Sequence, residues 1–183
     1  MQNIKRLEHL LNDLAVGPHY LFASADLRSG LADCSEAAFA PLLTRATRSG
    51  ILKRVCRGIY LNPRASYQPG LVLYHTAARL RAGHFVYLSL ESALSMHSVI
   101  SQMPINRITL MTSGRGGEID CGDFGRIDFT HSKRSIADCA DELNYADDMR
   151  LWIASASLAY RDLKYVGRNL DLVNQDLLGE TTA

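Results

Sequence analysis

The residues that could do chemistry in this chain are concentrated between Glu36 and Glu91. No acidic residue occurs there, while Arg45, Arg48, Lys53, Arg54, Arg57, Arg64, Arg79 and Arg81 all do. A solvated face ordinarily mixes both signs, so a run of cations without acids points to an anionic partner. Arginine can contact guanine bidentately or grip a phosphate, and threonine can reach a base edge or a phosphate. Arg45 and Arg48, with Thr44 and Thr47 beside them, are therefore candidates for base reading. Lys53, Arg54, Arg57 and Arg64 are candidates for phosphate contact. The net charge of the chain is only +1, but residues 1–65 carry nine Lys/Arg against five Asp/Glu, whereas residues 66–183 carry eleven against fourteen.

Other reactive residue types are present in weaker patterns. Ser113-Gly114-Arg115-Gly116-Gly117 lacks the spacing and the Lys-Ser/Thr of a P-loop and reads as a flexible hairpin loop. Asp120, Asp128 and Lys133 invite comparison with a metal nuclease cluster, yet no Glu-x-Lys element accompanies them. His97, near the end of a helix, reads as a core or capping histidine, and His131 with Lys133 and Arg134 as a basic edge. Cys34, Cys56, Cys121 and Cys139 are widely spaced, with no C-x-x-C pair and no histidine at finger spacing, so they read as reduced thiols. No catalytic residue, metal or cofactor is expected.

The elements that must position the basic residues follow from periodicity. Leu7, Leu10, Leu11 and Leu14 form one stripe on a first helix, which Gly17-Pro18 stops. After the apolar stretch His19–Phe22, Ser24 caps a short second helix that Gly30 ends as a C′ glycine. Ser35-Glu36 opens a third, with Phe39, Leu42, Leu43 and Ala46 on one face and Thr44, Arg45, Thr47 and Arg48 mostly on the other. Pro41 requires either a kink or a regular part that begins near it. Residues 51–61 then read as a tight hairpin turning at Arg57-Gly58. Helix, short helix, amphipathic helix and basic hairpin is the order of a winged helix-turn-helix, whose third helix enters the major groove of DNA while the wing follows the backbone.

From residue 66 the character changes. A helix runs through Leu71–Leu80, Phe85–Leu88 and Ile105–Thr112 look like strands, and Ser89 caps a helix to His97. Ile119–Cys121 and Arg126–Thr130 add strand alternation, and Met149 to about Lys164 reads as a long final helix, followed by a short one at Leu170–Leu178. The expected architecture is α+β: a winged-helix domain over residues 1–65 and a small α/β domain over residues 66–183 with a mainly antiparallel sheet. With 47% hydrophobic and 21% charged residues the chain has the composition of a folded globular protein. No apolar run approaches the roughly 18 residues that cross a bilayer, and Met1–Arg6 leads into an amphipathic segment, so a cytoplasmic protein without membrane contact is expected.

The run Leu43-x-Arg45-Ala46-x-Arg48-Ser49-Gly50-Ile51-Leu52-x-Arg54-Val55-x-Arg57-Gly58-Ile59-Tyr60 resembles the winged-helix pattern of AbiEi-type antitoxins, the regulator half of the AbiE phage-defence toxin–antitoxin systems. Tyr87–His97, then Pro104, an Ile-x-x-Ile-Thr strand, a glycine-rich basic loop and Phe124-Gly125-x-Ile127-x-Phe129 are similar to that family's C-terminal domain. The resemblance implies an antitoxin that represses its own operon by binding inverted repeats. It further implies a type IV mode of action, opposing a nucleotidyltransferase-type toxin without a stable complex. Reading inverted repeats favours two copies, so a homodimer on DNA is expected. Two other classes stay open from the residues alone. One is a winged-helix-targeted nuclease or nucleotide-handling enzyme, and the other is a protein-interaction adaptor.

Overall fold

The computed structural model describes residues 2–14, 19–100 and 106–181. The chain is α+β and divides into two compact units, Met1–Gly70 and Leu71–Ala183. The division falls a few residues beyond position 65, because the segment there still packs on the first unit: Ala65 is buried and Tyr67 stacks on Tyr20, ring centroids 5.1 Å apart.

In the first unit α1 (Gln2–Leu14), α2 (Ser24–Gly30) and α3 (Glu36–Arg48) accompany a sheet of β1 (Leu21–Ala23), β2 (Lys53–Cys56) and β3 (Ile59–Leu61). The expected stop of the first helix at Gly17-Pro18 lies outside the described residues. Part of the apolar stretch before Ser24 is β1, which pairs antiparallel with β3 and gives the strand order β1-β3-β2. Leu7 and Leu11 from α1 close the core with Leu27, Leu42, Leu43, Ala46 and Leu52. Gly30 is the last residue of α2, and its reason is close approach: a Cβ there would lie 2.5 Å from Leu10 Cδ2. The turn between α2 and α3 is held by Arg28, whose Nη1 donates to the carbonyls of Leu31 at 3.2 Å and Cys34 at 2.5 Å, beneath the ring of Phe39. Helix α3 runs through Pro41, which sits on its exposed side. Gly58, at φ +81°, supplies the left-handed residue of the β2–β3 turn.

The second unit contains α4 (Val72–Leu80), β4 (Val86–Leu88), α5 (Leu90–Met96), β5 (Arg107–Thr112), β6 (Gly117–Asp120), β7 (Arg126–His131), β8 (Leu143–Ala146), β9 (Leu151–Ala154), α6 (Ala156–Val166) and α7 (Gln175–Thr181). Its sheet has the order β6-β7-β5-β4-β9-β8. The β4–β5, β6–β7 and β8–β9 pairs are antiparallel, and β4–β9 and β5–β7 are parallel. The single helix expected from Met149 to Lys164 is instead a strand followed by a helix. Ser155 starts α6 by accepting a bond from the Leu158 N–H at 3.1 Å, while residues 151–154 find a partner on each side in β4 and β8. No helix among the described residues is long and apolar enough to cross a membrane.

Two polar clusters fasten this unit. Asp162 on α6 has no solvent exposure; it accepts bonds from Tyr87 Oη at 3.0 Å and Ser89 Oγ at 2.7 Å and is ion-paired with Arg134. Ser89 precedes α5 but spends its hydroxyl on Asp162 and makes no capping bond. The second cluster joins Glu91 to Arg168 through two bonds of 2.9 and 3.2 Å and to Asn169 at 2.7 Å, with Arg168 also reaching Asp128 at 2.9 Å. Burial alone would raise the Glu91 carboxyl, but the bonds from Arg168 and Asn169 outweigh it and hold its pKa below the ordinary 4.5.

A depressed carboxylate contributes stability that is complete above its ordinary pKa and is lost as pH falls through the lower folded value. Unfolding followed by Trp152, the one tryptophan of the sequence, is therefore expected to shift to lower denaturant as pH drops below 4.5, with that shift reduced in Glu91→Gln. An identical acid dependence in the variant would refute the assignment. Asp162→Ala removes the one acceptor shared by three buried or half-buried donors and is expected to cost about 3–5 kcal/mol by the same readout.

Candidate nucleic-acid interface

The first-unit residues singled out by type come from two adjacent pieces of chain. Leu42, Leu43 and Ala46 are buried, which turns Thr44, Arg45 and Arg48 outward on the opposite side of α3, with Thr47 half-buried. Ile51 and Leu52 anchor the link to the hairpin, and the amide N–H groups of both donate to the Ala46 carbonyl. Lys53 and Arg54 then lie on β2 and Arg57 at the turn.

Two depressions lie along helix and hairpin. Ala40, Pro41, Thr44, Arg45 and Arg48 line one of about 470 Å³, and Thr44, Thr47, Arg48, Arg54 and Tyr60 line the other of about 210 Å³. Thr44 and Arg48 belong to both. The Thr44 hydroxyl donates to the Ala40 carbonyl at 3.0 Å and that of Thr47 to Leu43 at 2.9 Å, which fixes their rotamers and leaves the oxygens as acceptors. Arg54 Nε donates to the Cys56 carbonyl at 3.3 Å.

The electrostatics are one-sided. Arg45, Arg48, Arg54 and Arg57 are exposed, and none forms an ion pair among the described residues. Two basic residues elsewhere in this unit behave differently: Arg6 pairs with Asp33 at 2.6 Å and Arg64 with Glu8 of α1 at 3.3 Å. Arg64 follows the end of β3 where Leu61 faces Lys53, at the opposite end of the hairpin from Arg57. The structure thus brings Thr44, Arg45, Thr47, Arg48 and Arg54 together and sets Arg64 apart with a carboxylate of its own.

Tyr60 was not foreseen. It is half-buried on β3 opposite Arg54 and Phe22, and it forms part of the smaller depression. The alternation Ile59-Tyr60-Leu61, with both neighbours buried, is the signal that separates its face from theirs.

The reactive types of the second unit are committed to structure. Asp128 holds Arg168, and Asp120 accepts from the Gly122 N–H at 2.8 Å. His97 bonds the Ala154 carbonyl and His131 the Gly114 carbonyl, both at 2.9 Å. The four cysteines are buried as free thiols, and no group of His, Cys, Asp and Glu among the described residues is arranged to hold a metal ion.

No protein-family model and no curated protein matches the chain. Among solved structures it is similar to the RV2827C protein from Mycobacterium tuberculosis, with 18% identity and a TM-score of 0.44 over 74% of this chain and 48% of that one. The chain therefore spans about half the length of that protein.

Because the side chains of Arg45, Arg48 and Arg57 form no ion pair among the described residues, replacing each by Ala is expected to change stability by no more than about 0.5 kcal/mol. Thermal melts followed by circular dichroism check this. A loss well above that range in any of the three would mean that the side chain serves the fold.

Proposed function

We propose that the chain is a DNA-binding antitoxin and transcriptional autorepressor of a toxin–antitoxin operon, acting in the cytoplasm. In this reading the first unit is a winged helix-turn-helix on double-stranded operator DNA. Helix α3 enters the major groove with Arg45 and Arg48 reading base edges and Thr44 and Thr47 beside them, while the β2–β3 hairpin is the wing, with Lys53, Arg54 and Arg57 on phosphates. The observation that carries the reading is the exposed set Arg45, Arg48, Arg54 and Arg57, without an acidic partner among the described residues, on the two adjacent elements that such a module turns to DNA. Charges left uncompensated on one face contribute nothing to the folded state, and counterion release on a polyanion gives them a purpose.

The antitoxin part rests on the resemblance of the two sequence runs to AbiEi-type regulators. It assigns opposition to a nucleotidyltransferase-type toxin, without a stable complex, to the second unit. Two copies on inverted repeats complete the picture.

Fluorescence anisotropy on the chain's own upstream promoter and on a shuffled duplex, across a salt series, tests the DNA reading. Promoter-selective binding that falls steeply with salt is expected. Arg57→Ala should weaken both duplexes about equally and flatten the salt slope by roughly one unit, while Arg45→Ala should cost about 1–3 kcal/mol on the promoter and relax preference at one base position. Absence of binding to either duplex at low salt would discard the proposal in favour of a protein-interaction adaptor. Rescue of growth on co-expression with the toxin encoded alongside tests the antitoxin part separately.

A further inference from the structure

The fold uses the ring of Tyr60 and leaves its hydroxyl idle. In the three-stranded sheet Phe22, Tyr60 and Arg54 stand directly opposite one another on β1, β3 and β2, so they share one face. Along that row exposure rises outward: Phe22 is buried, Tyr60 half-buried and Arg54 exposed. The Tyr60 ring packs against the cluster that holds Leu42, Leu43 and Ala46 of α3, a task phenylalanine would perform equally. Its hydroxyl has no hydrogen-bond partner among the described residues. A tyrosine with its ring on the core and its polar end unpaired at the rim is suited to meet a ligand.

Arg54 is aimed by its own strand. The β2–β3 register shifts between Arg54 and Cys56, and Arg54 Nε donates to the Cys56 carbonyl at 3.3 Å across that irregularity. Bulges of this kind redirect side chains beside functional sites. With Nε tied down, Nη1 and Nη2 make no hydrogen bond among the described residues. The hydroxyl protons of Thr44 and Thr47 are spent on the Ala40 and Leu43 carbonyls, so the donors left to the smaller depression are those of Arg48, Arg54 and Tyr60. That depression has a volume of about 210 Å³, and no Asp or Glu lines it. It is smaller than the roughly 300–1,000 Å³ of sites for whole small molecules and fits one anionic group. Two guanidinium groups and a phenol in that space select a tetrahedral oxyanion.

We propose that this depression seats one phosphate of the DNA backbone, gripped by the terminal nitrogens of Arg54 and by the Tyr60 hydroxyl, with Arg48 at its rim. The inference rests on the DNA-binding reading above and adds a contact residue that charge does not reveal. Phosphate contacts fix register and orientation on the duplex, so a phosphate held where α3 meets the hairpin sets how the helix sits in its groove. Tyrosine donates to a phosphate without changing the count of charges, which makes its contribution separable from that of the arginines.

Full-length wild type, Tyr60→Phe, Arg54→Gln and the double variant are compared by fluorescence anisotropy on the upstream promoter duplex and on a shuffled duplex. A hydrogen bond to a charged group corresponds to about tenfold in affinity. Tyr60→Phe is therefore expected to weaken both duplexes about tenfold, with the salt slope and the melting temperature unchanged. Arg54→Gln should weaken both and flatten the slope by roughly one unit. In the Arg54→Gln background the further loss from Tyr60→Phe should shrink to less than about threefold, because the two groups hold the same phosphate. A free phosphate ion presents the same chemistry, so inorganic phosphate at about millimolar concentration replaces chloride at constant ionic strength. It is expected to leave the duplex bound; displacement from wild type and not from Tyr60→Phe would assign the seat to a free anion and overturn the proposal. Wild-type binding that Tyr60→Phe leaves unchanged also overturns it, while the DNA-binding reading stands. So does a loss confined to the promoter, which marks a base contact, or a loss accompanied by a lower melting temperature, which marks a role in the fold. No wild-type binding to either duplex at low salt removes that reading and this inference together.

Discussion

Asp162 is a carboxylate withdrawn completely from water, and the second unit is arranged around the need to satisfy it. An isolated buried carboxylate costs many kcal/mol, a cost that direct hydrogen bonds and an opposite charge must offset. Three segments far apart in sequence supply them: Tyr87 from β4, Ser89 from the start of α5, and Arg134 from the loop after β7. Burial and the facing carboxylate push the Tyr87 hydroxyl well above its ordinary pKa, so it stays a donor at any physiological pH. Burial works against the Arg134 charge, but Asp162 more than compensates it. Helix α6, the centre of the sheet and the loop after β7 are thereby fixed by one acceptor. The Glu91–Arg168–Asp128 cluster repeats the device at lower burial, joining α5, β7 and the chain after α6.

The first unit uses charge in the opposite sense. Its core is apolar, and its ion pairs Arg6–Asp33 and Arg64–Glu8 are solvent-exposed and worth little. The arginines of α3 and the hairpin pair with no carboxylate among the described residues. Such a face gains nothing from intramolecular electrostatics and repels itself weakly, which makes it suited to a polyanion whose counterions it can replace.

Much of the first unit was legible because its signals are local. The three- and four-residue spacing of Leu7, Leu10, Leu11 and Leu14, the split of α3 into apolar and basic sides, and the glycine at the hairpin turn each depend on neighbours within a few residues. The outward placement of Thr44, Arg45 and Arg48 follows from that periodicity alone. Strand β1 was hidden because Leu21–Ala23 is too short to show alternation and becomes a strand only through its pairing with β3. Tyr60 was missed for a related reason, since its part in the depression depends on α3 passing in front of it.

In the second unit the sequence determined the helices and strands that carry their own periodicity. Those properties reside in residue order and need no partner to exist. The tertiary structure alone decided that residues 151–154 are a strand, because only β4 and β8 on either side supply the ladder that outweighs a helical spacing of Leu151, Ala154 and Leu158. It alone decided that Ser89 serves Asp162 and not its helix, that Asp128 is an anchor for Arg168, and that Arg64 is answered by Glu8. Each of these turns on which group meets a side chain across tens of residues of chain. A buried or paired charge takes its role from that partner, and sequence spacing does not encode the distance between them.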